Sequence, residues 1–121
     1  MKFRFAQFTD VTQYAKKFFG DAYENYEKIF VCPDVHDVWV CRILKGFDEE
    51  YEEKEDSFLV ERNKIESPVP RKSNRFSQND LQYVLKEDSD DMGNWDFKQC
   101  DSLEEAIEIV DGGFGIIPEN D

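Results

Sequence analysis

The fold is decided by residues 28–44, which read KIFVCPDVHDVWVCRIL. Two runs rich in β-branched and aromatic side chains, residues 28–32 and 38–44, flank a turn-forming segment at residues 33–37. Two such runs joined by a short connection containing Pro and Asp are typical of a β-hairpin. The sequence therefore predicts an antiparallel pair of strands in the first half of the chain.

Upstream of this hairpin the sequence predicts a short strand followed by a helix. Residues 2–8 alternate phenylalanines with polar or small residues, which favours a strand with one buried face. Thr9 or Asp10 then offers an N-cap, and Gln13 stands at the capping-box position for Asp10. Gly20 weakens this helix or ends its first part. The apolar residues of the helix form one stripe, made of Val11, Tyr14, Ala15, Phe18, Phe19, Ala22 and Tyr26.

Downstream, three further strands are predicted at residues 58–61, 81–86 and 94–99, the last two forming a hairpin across residues 87–93. Residues 48–56 are compatible with an exposed helical turn or with a loop.

The last predicted helix has the clearest signals in the chain. Ser102 is its N-cap, Glu105 stands at the capping-box position, and Gly112 is typical of a helix stop. One face is apolar, at Leu103, Ala106, Ile107 and Val110.

The predicted element order is β-α-β-β-β-β-β-α, and the short connections in its middle favour antiparallel pairing. We therefore expect an α+β fold with a single antiparallel sheet of about five or six strands. Two helices, one near each terminus, are expected to pack on it. With 121 residues, the chain suits a single domain spanning residues 1–121.

The charge of the chain is its most extreme property. Twenty-eight Asp and Glu against fifteen Lys and Arg give a formal net charge of −13. Such a charge opposes direct binding to nucleic acid and to anionic membranes, because both require cations on the protein. It favours solubility and rapid encounter with basic proteins. A charge that serves solubility alone is the alternative.

Three cysteines, an odd number without framework spacing, are typical of a reducing compartment. The first residues lack the apolar stretch of a signal peptide, and no apolar run reaches the ~18 residues needed to cross a bilayer. The expected localisation is cytoplasmic.

A zinc site is the first chemistry to consider, because Cys32, His36, Cys41 and Cys100 form a complete Cys₃His set. Their Cys-x₃-His-x₄-Cys spacing lacks the compact Cys-x₂-Cys knuckle of recognisable zinc sites. Buried thiols with an exposed turn histidine are the favoured interpretation, and whether these four residues bind a metal stays open. No cofactor is expected.

No enzymatic motif is predicted. A Cys–His pair built from Cys32 or Cys41 with His36 lacks a third orienting group. Residues 88–93 begin like a calcium loop, but Met92 occupies the fifth position and Gln99 the twelfth, where a bidentate Glu is required. We expect a protein that is not an enzyme.

The carboxylates are concentrated in two segments. Residues 48–56 hold seven of them, and the twelve from Glu87 onwards are accompanied by a single cation, Lys98. A solvated face is the ordinary explanation of such runs, and a docking surface for a cationic partner is the alternative. The residues expected to contact a partner are Asp48, Glu49, Glu50, Tyr51, Glu52, Glu53, Asp88, Asp90, Asp91, Glu104, Glu105 and Glu108.

The functional hypothesis follows from this charge placement. We expect a small acidic protein that inhibits or neutralises a protein with a cationic surface, such as a nuclease or another nucleic-acid-binding enzyme. A toxin-immunity protein and a phage-encoded anti-defence inhibitor or nucleic-acid mimic fit equally. The aromatic residues Tyr51, Trp95 and Phe97 among the acids are candidate anchors. An acidic accessory or regulatory domain of a larger assembly is the alternative.

Five cations at residues 62–75 are the exception to this acidity. They are expected to pair internally with residues 48–56 or to contact an acidic patch of the partner. Direct binding of nucleic acid through them is disfavoured by the surrounding negative field.

Overall fold

A computed structural model describes residues 8–33, 37–66, 76–90 and 96–111. Strands and helices follow one another along the chain as β1 Thr9–Asp10, α1 Thr12–Phe18, α2 Gly20–Tyr23, β2 Tyr26–Pro33, β3 Asp37–Phe47, β4 Glu53–Glu66, α3 Gln78–Asp90, β5 Asp96–Cys100 and α4 Leu103–Asp111. The predicted strand at residues 2–7, the start of the one at 94–99 and the stop at Gly112 lie outside the described residues.

The strands form one antiparallel sheet with the order β1-β2-β3-β4-β5. Val31 pairs with Val40 across β2 and β3, which confirms the predicted hairpin. In the β3–β4 pairing the register shifts at Gly46, whose φ of +88° favours a glycine. This irregularity bends the end of the hairpin that carries residues 48–56.

The sheet has helices on both faces. Because side chains alternate along a strand, Val38, Val40 and Arg42 of β3 point to one face, while Cys41 and Ile43 point to the other. The first face is covered by α1, α2 and α3 and holds the larger buried apolar cluster. The second face is covered by α4. The described part of the chain is therefore α+β with four helices, instead of the two that the sequence predicts.

The predicted strand at residues 81–86 is wrong, because these residues belong to α3. The buried residues of this helix are Val84, Leu85 and Asp88. Because Asp88 is charged, the apolar residues alone do not show the spacing of a helix, and the helix is not predicted from the apolar pattern. A capping box at its start was the available signal: the Asp80 amide donates to Ser77 Oγ, and the Ser77 amide donates to Asp80 Oδ2, both at 3.1 Å.

The first predicted helix is divided in two and is shorter than expected. The backbone leaves the helical region at Phe19, with φ of −135°, and Tyr26 already belongs to β2.

The last helix agrees with its prediction. Ser102 Oγ accepts a hydrogen bond from the Glu105 amide at 3.1 Å, while the Glu105 carboxylate accepts from the Asp101 amide.

Within the described ranges, none of the helices has the length and apolar content that crossing a membrane requires.

Candidate functional site

The chain between β3 and β4 forms a closed turn, at the start of the acidic tip, the name used here for residues 48–56. Asp48 Oδ1 accepts hydrogen bonds from the amides of Glu50 and Glu52, at 2.8 and 3.0 Å. The Tyr51 amide also donates to the Asp48 carbonyl at 3.0 Å. One carboxylate is thus used to hold the turn, and its neighbours are left at the surface.

Tyr51 occupies an unusual position in this turn. Its φ of +60° lies in the left-handed region, which costs roughly 1–2 kcal/mol for a residue with a Cβ. The hydroxyl compensates by donating to Oε2 of the buried Glu61 at 2.5 Å, and the residue nevertheless remains 46% exposed. The side chain of Tyr51 is therefore fixed at its inner end and open to solvent along its ring.

Phe97 of β5 lies against Tyr51. The two ring centroids are 6.0 Å apart with an interplanar angle of 65°, which is a favourable edge-to-face arrangement. Phe97 is 44% exposed. The two residues form an exposed aromatic pair beside the acidic tip.

A second link holds the tip against β5. The Glu49 amide donates to Gln99 Oε1 at 3.2 Å, and the Gln99 amide donates to Glu49 Oε1 at 3.3 Å. Together with the bond from Tyr51 to Glu61, this link joins the tip to two strands of the sheet. The exposed carboxylates of the tip are therefore presented on a fixed frame.

Beneath the aromatic pair lies a buried charge network centred on Arg42, Glu61 and Asp88. Arg42 Nε lies 3.2 Å from Glu61 Oε1, and Arg42 Nη1 lies 3.1 Å from Asp88 Oδ2. Both carboxylates are fully buried. The guanidinium thus stands between two anions in the interior, where an uncompensated charge costs several kcal/mol.

Neutral donors complete the network. Tyr26 OH donates to Glu61 Oε1 at 2.7 Å. Tyr23 OH and Asn63 Nδ2 donate to the two oxygens of Asp88, at 2.7 and 2.8 Å. These bonds satisfy lone pairs of both carboxylates, as a buried ion pair requires.

Burial sets the proton affinities in this network. It raises the pKa of Asp88 above its ordinary value, although Arg42 and the hydrogen bonds from Asn63 and Tyr23 act in the opposite direction. Burial, together with the hydrogen bond to Glu61, also raises the pKa of Tyr51. Tyr51 is therefore protonated at neutral pH and serves as a hydrogen-bond donor.

The structure places most of the expected partner-binding residues at the surface. Glu49, Tyr51 and their neighbours in the tip are exposed, and Asp48 is half-buried in the turn. Glu104, Glu105 and Glu108 are exposed on α4. Trp95, a candidate anchor, and Asp91 lie outside the described residues.

Asp88 is a correction to the sequence analysis. It was expected at a partner surface, but it is fully buried and bonded to Arg42. Its carboxylate is not accessible to a partner, so we remove it from the expected surface. Asp90, two residues further along α3, is exposed and pairs with Lys86 at 3.2 Å.

The remaining acids do not form one surface. Asp90 and Glu87 of α3 line a shallow cleft of about 330 Å³ with Glu66, at the far end of β4. The nine residues from Phe58 to Glu66 alone span roughly 26 Å of strand, and the tip precedes Phe58 in the chain. The lining of this cleft includes none of the tip residues, so Glu87 and Asp90 border a different part of the surface from the tip.

The cysteines are buried in the sheet and are thiols, not disulfides. Burial raises the pKa of Cys41 well above its ordinary value, so this thiol is protonated at neutral pH and is a poor nucleophile. The described residues contain no group of three or more candidate ligands that could hold a metal ion. His36 lies outside them.

The sequence analysis missed the buried network altogether. Arg42 and Glu61 lie within the predicted strands 38–44 and 58–61. A charged residue inside an otherwise apolar strand was the available signal for a buried charge.

Comparisons of the chain with protein-family models, with curated proteins and with solved structures found no match.

Proposed function

We propose that this protein is a small acidic binding protein that docks its tip on the cationic surface of another protein and thereby inhibits or neutralises it. The observation that carries the proposal is the acidic tip itself, a set of exposed carboxylates held on a fixed frame beside exposed aromatic rings. Aromatic anchors are enriched at protein interfaces, where they are surrounded by a polar rim, and complementary charges at an interface steer the encounter of the partners.

The internal ion pairs support this proposal. The ion pairs that join two described residues involve Asp10, Glu61, Asp88, Asp90 and Asp96. None of these belongs to the acidic tip. Carboxylates crowded together without a described counterion repel one another, and a cationic partner relieves that repulsion while steering the encounter.

The expected partner is a nuclease or another nucleic-acid-binding enzyme, because such proteins carry cationic surfaces that accept phosphates. Carboxylates of the tip take the place of phosphates on that surface. Neutralisation of a toxin and antagonism of a defence enzyme both follow from occupying it.

The cations at residues 62–75 have a smaller part in this proposal than the sequence analysis allowed. Arg62 pairs with Asp96 of β5 and stacks on Trp39 at 4.3 Å. Lys64 lies 5.8 Å from the same ring. These two cations are therefore oriented toward the second face of the sheet, and the remaining three lie outside the described residues.

The experiment compares two variants with the same change in charge. Glu50→Gln/Glu52→Gln alters the tip, and Glu104→Gln/Glu108→Gln alters α4. The immobilised protein is exposed to host lysate at rising salt, and the nuclease activity of the captured protein is then measured with and without this chain.

We expect the tip variant to slow association and reduce capture. The α4 carboxylates were also expected at a partner surface, but their helix covers the second face of the sheet, whereas Tyr51 bonds to Glu61 on the first face, so we expect the α4 variant to behave like the original protein. We also expect capture to weaken as salt rises, because exposed charges are screened. If the amount of captured protein does not change with salt and is the same for both variants and the original protein, the proposal is contradicted. This result would favour an accessory domain whose charge serves solubility.

A further inference from the structure

The exposed aromatic pair indicates which kind of side chain of the partner binds at the tip. Tyr51 and Phe97 are two of the four large apolar or aromatic side chains exposed among the described residues, and they lie side by side. The other two, Phe18 and Tyr83, belong to different helices. An exposed ring pair bordered by carboxylates offers a π face and negative charge in one place.

The hydrogen bond of Tyr51 strengthens this property. Its hydroxyl donates to the fully buried carboxylate of Glu61. Donation to an anion pushes electron density back into the phenol ring, as hydrogen bonds in a low dielectric polarise their partners. A more electron-rich ring attracts a cation more strongly.

The same molecule already pairs arginine with aromatic rings in its interior. Arg62 lies over Trp39 at 4.3 Å and Arg42 over Tyr26 at 5.5 Å. By contrast, none of the described cations lies over Tyr51 or Phe97. Among the described residues, the pair is therefore an exposed aromatic surface that is open to a cation from outside, and it differs from the exposed Tyr83 in joining two rings beside carboxylates.

We propose that an arginine side chain of the partner seats its guanidinium against the Tyr51–Phe97 pair and donates hydrogen bonds to the neighbouring tip carboxylates. This inference rests on the proposed function and narrows it to one recognition element. Arginine suits the site better than lysine, because its planar guanidinium is weakly hydrated, stacks on rings and binds carboxylates with two donors at once.

Charge complementarity also decides against a second copy of this chain as the occupant. Each copy carries a formal charge of −13. Bringing two acidic tips together concentrates like charge, whereas a basic protein removes it.

The test uses two defined probes, an oligoarginine and an oligolysine peptide of equal length and charge, and measures their dissociation constants at physiological salt. We expect the full chain to bind oligoarginine about five- to tenfold more tightly, as a cation–π contact of this kind provides. Phe97→Leu and Tyr51→Leu keep apolar bulk but remove a π face, and each should abolish most of this preference.

Two control variants make the result specific. Tyr83→Leu removes an equally exposed ring on α3 and should leave the preference unchanged. Tyr51→Phe keeps the ring but loses the bond to Glu61, and should give an intermediate preference. Circular dichroism of every variant checks that the fold is retained.

The outcomes separate the two proposals. If both peptides bind through Glu50 and Glu52 but the ring variants leave the arginine preference intact, this inference is overturned while the proposed function stands. If neither peptide binds, or if Glu50→Gln/Glu52→Gln has no effect, both fail. If sedimentation shows a dimer that Phe97→Leu dissociates, the occupant is a second copy and the inference is also overturned.

Discussion

The acidic tip and the buried charge network are made of the same kinds of residue and behave in opposite ways. In the network, Glu61 and Asp88 are fully buried, and each lies within 3.2 Å of an Arg42 nitrogen. In the tip, the acidic residues other than the half-buried Asp48 are exposed, and none of the tip carboxylates pairs with a described cation. Position in the fold, not residue type, therefore separates a structural carboxylate from one that is available to a partner.

Tyr51 connects the two regions, because its ring belongs to the surface and its hydroxyl to the network. This arrangement transmits the rigidity of the interior to an exposed turn. The two regions are expected to contribute very different amounts to the free energy of unfolding.

The largest effect is expected from Arg42→Met, which removes the cation between two buried carboxylates. Breaking a buried ion pair from one side costs about 3–5 kcal/mol, and we expect the free energy of unfolding in urea to fall by that amount. Lys86→Met is the matched control, because it breaks an exposed pair with Asp90 worth roughly 0–1 kcal/mol. Equal losses in the two variants would refute the distinction between the regions.

A smaller loss is expected from Tyr51→Phe, which removes one hydrogen bond to a buried carboxylate. Such bonds contribute roughly 1.5–3 kcal/mol, and Glu61 keeps its contacts with Arg42 and Tyr26. Urea unfolding measures the change, with Tyr83→Phe as the control on an exposed ring. An unchanged stability would mean that the tip is not anchored through Glu61.

Asp88 of the buried network and Asp10, which lies outside both regions at the surface, are expected to respond to pH with opposite signs. Burial raises the pKa of Asp88 above 3.8, so the folded state holds this proton more tightly than the unfolded state. The stability that Asp88 gains from binding this proton is then fully present at a pH below the pKa of Asp88 in the unfolded state. It is lost as the pH rises through the pKa of Asp88 in the folded state. The stability of the original protein relative to Asp88→Asn should therefore decrease from acidic to neutral pH.

Asp10 provides the opposite case at the surface. Partial burial acts to raise its pKa, but hydrogen bonds from Thr12 and the Lys28 ammonium outweigh it, and the pKa is lowered from 3.8. The stability that ionised Asp10 contributes is present at a pH above the pKa of Asp10 in the unfolded state. It is lost as the pH falls through the pKa of Asp10 in the folded state. Stability relative to Asp10→Asn should therefore increase from acidic to neutral pH, and parallel slopes for the two variants would contradict the assignment.

The smallest effect is expected at Asp56, which shares the left-handed backbone of Tyr51, with φ of +61°, but has no buried anchor. Asp56→Gly relieves this strain of roughly 1 kcal/mol and adds a similar entropy to the unfolded chain. We expect a net change of a few tenths of a kcal/mol in thermal unfolding, whereas Glu55→Gly should destabilise. A large loss at Asp56 would show that its side chain supports the tip.

The local patterns of the sequence predicted the parts of the fold that depend on neighbouring residues. The hairpin at residues 28–44 and the helix capped by Ser102 are both confirmed. The sequence could not predict α3 from apolar spacing, because Asp88 occupies one of its buried positions. It also placed both helices on the sheet without deciding which face each would cover.

The candidate site was predictable only in part. The run of acids at residues 48–56 indicates an exposed segment, and the tip is exposed. The contact of the tip with Phe97 depends on the register of three neighbouring strands. Glu61 of β4 pairs with Arg42 of β3 on one side and with Phe97 of β5 on the other. That register is set by the irregularity at Gly46 and by the length of the turn, neither of which a propensity scale describes.

The link between Glu49 and Gln99 has one more consequence. Among the described strands, β5 is the last of the sheet, and an open amide on an edge strand is a template on which a foreign strand can add and begin to aggregate. The Glu49 carboxylate occupies the Gln99 amide and so places a negative charge where such a strand would have to approach. The same contact that fixes the tip against β5 thus also removes one open backbone donor from the edge of this strand.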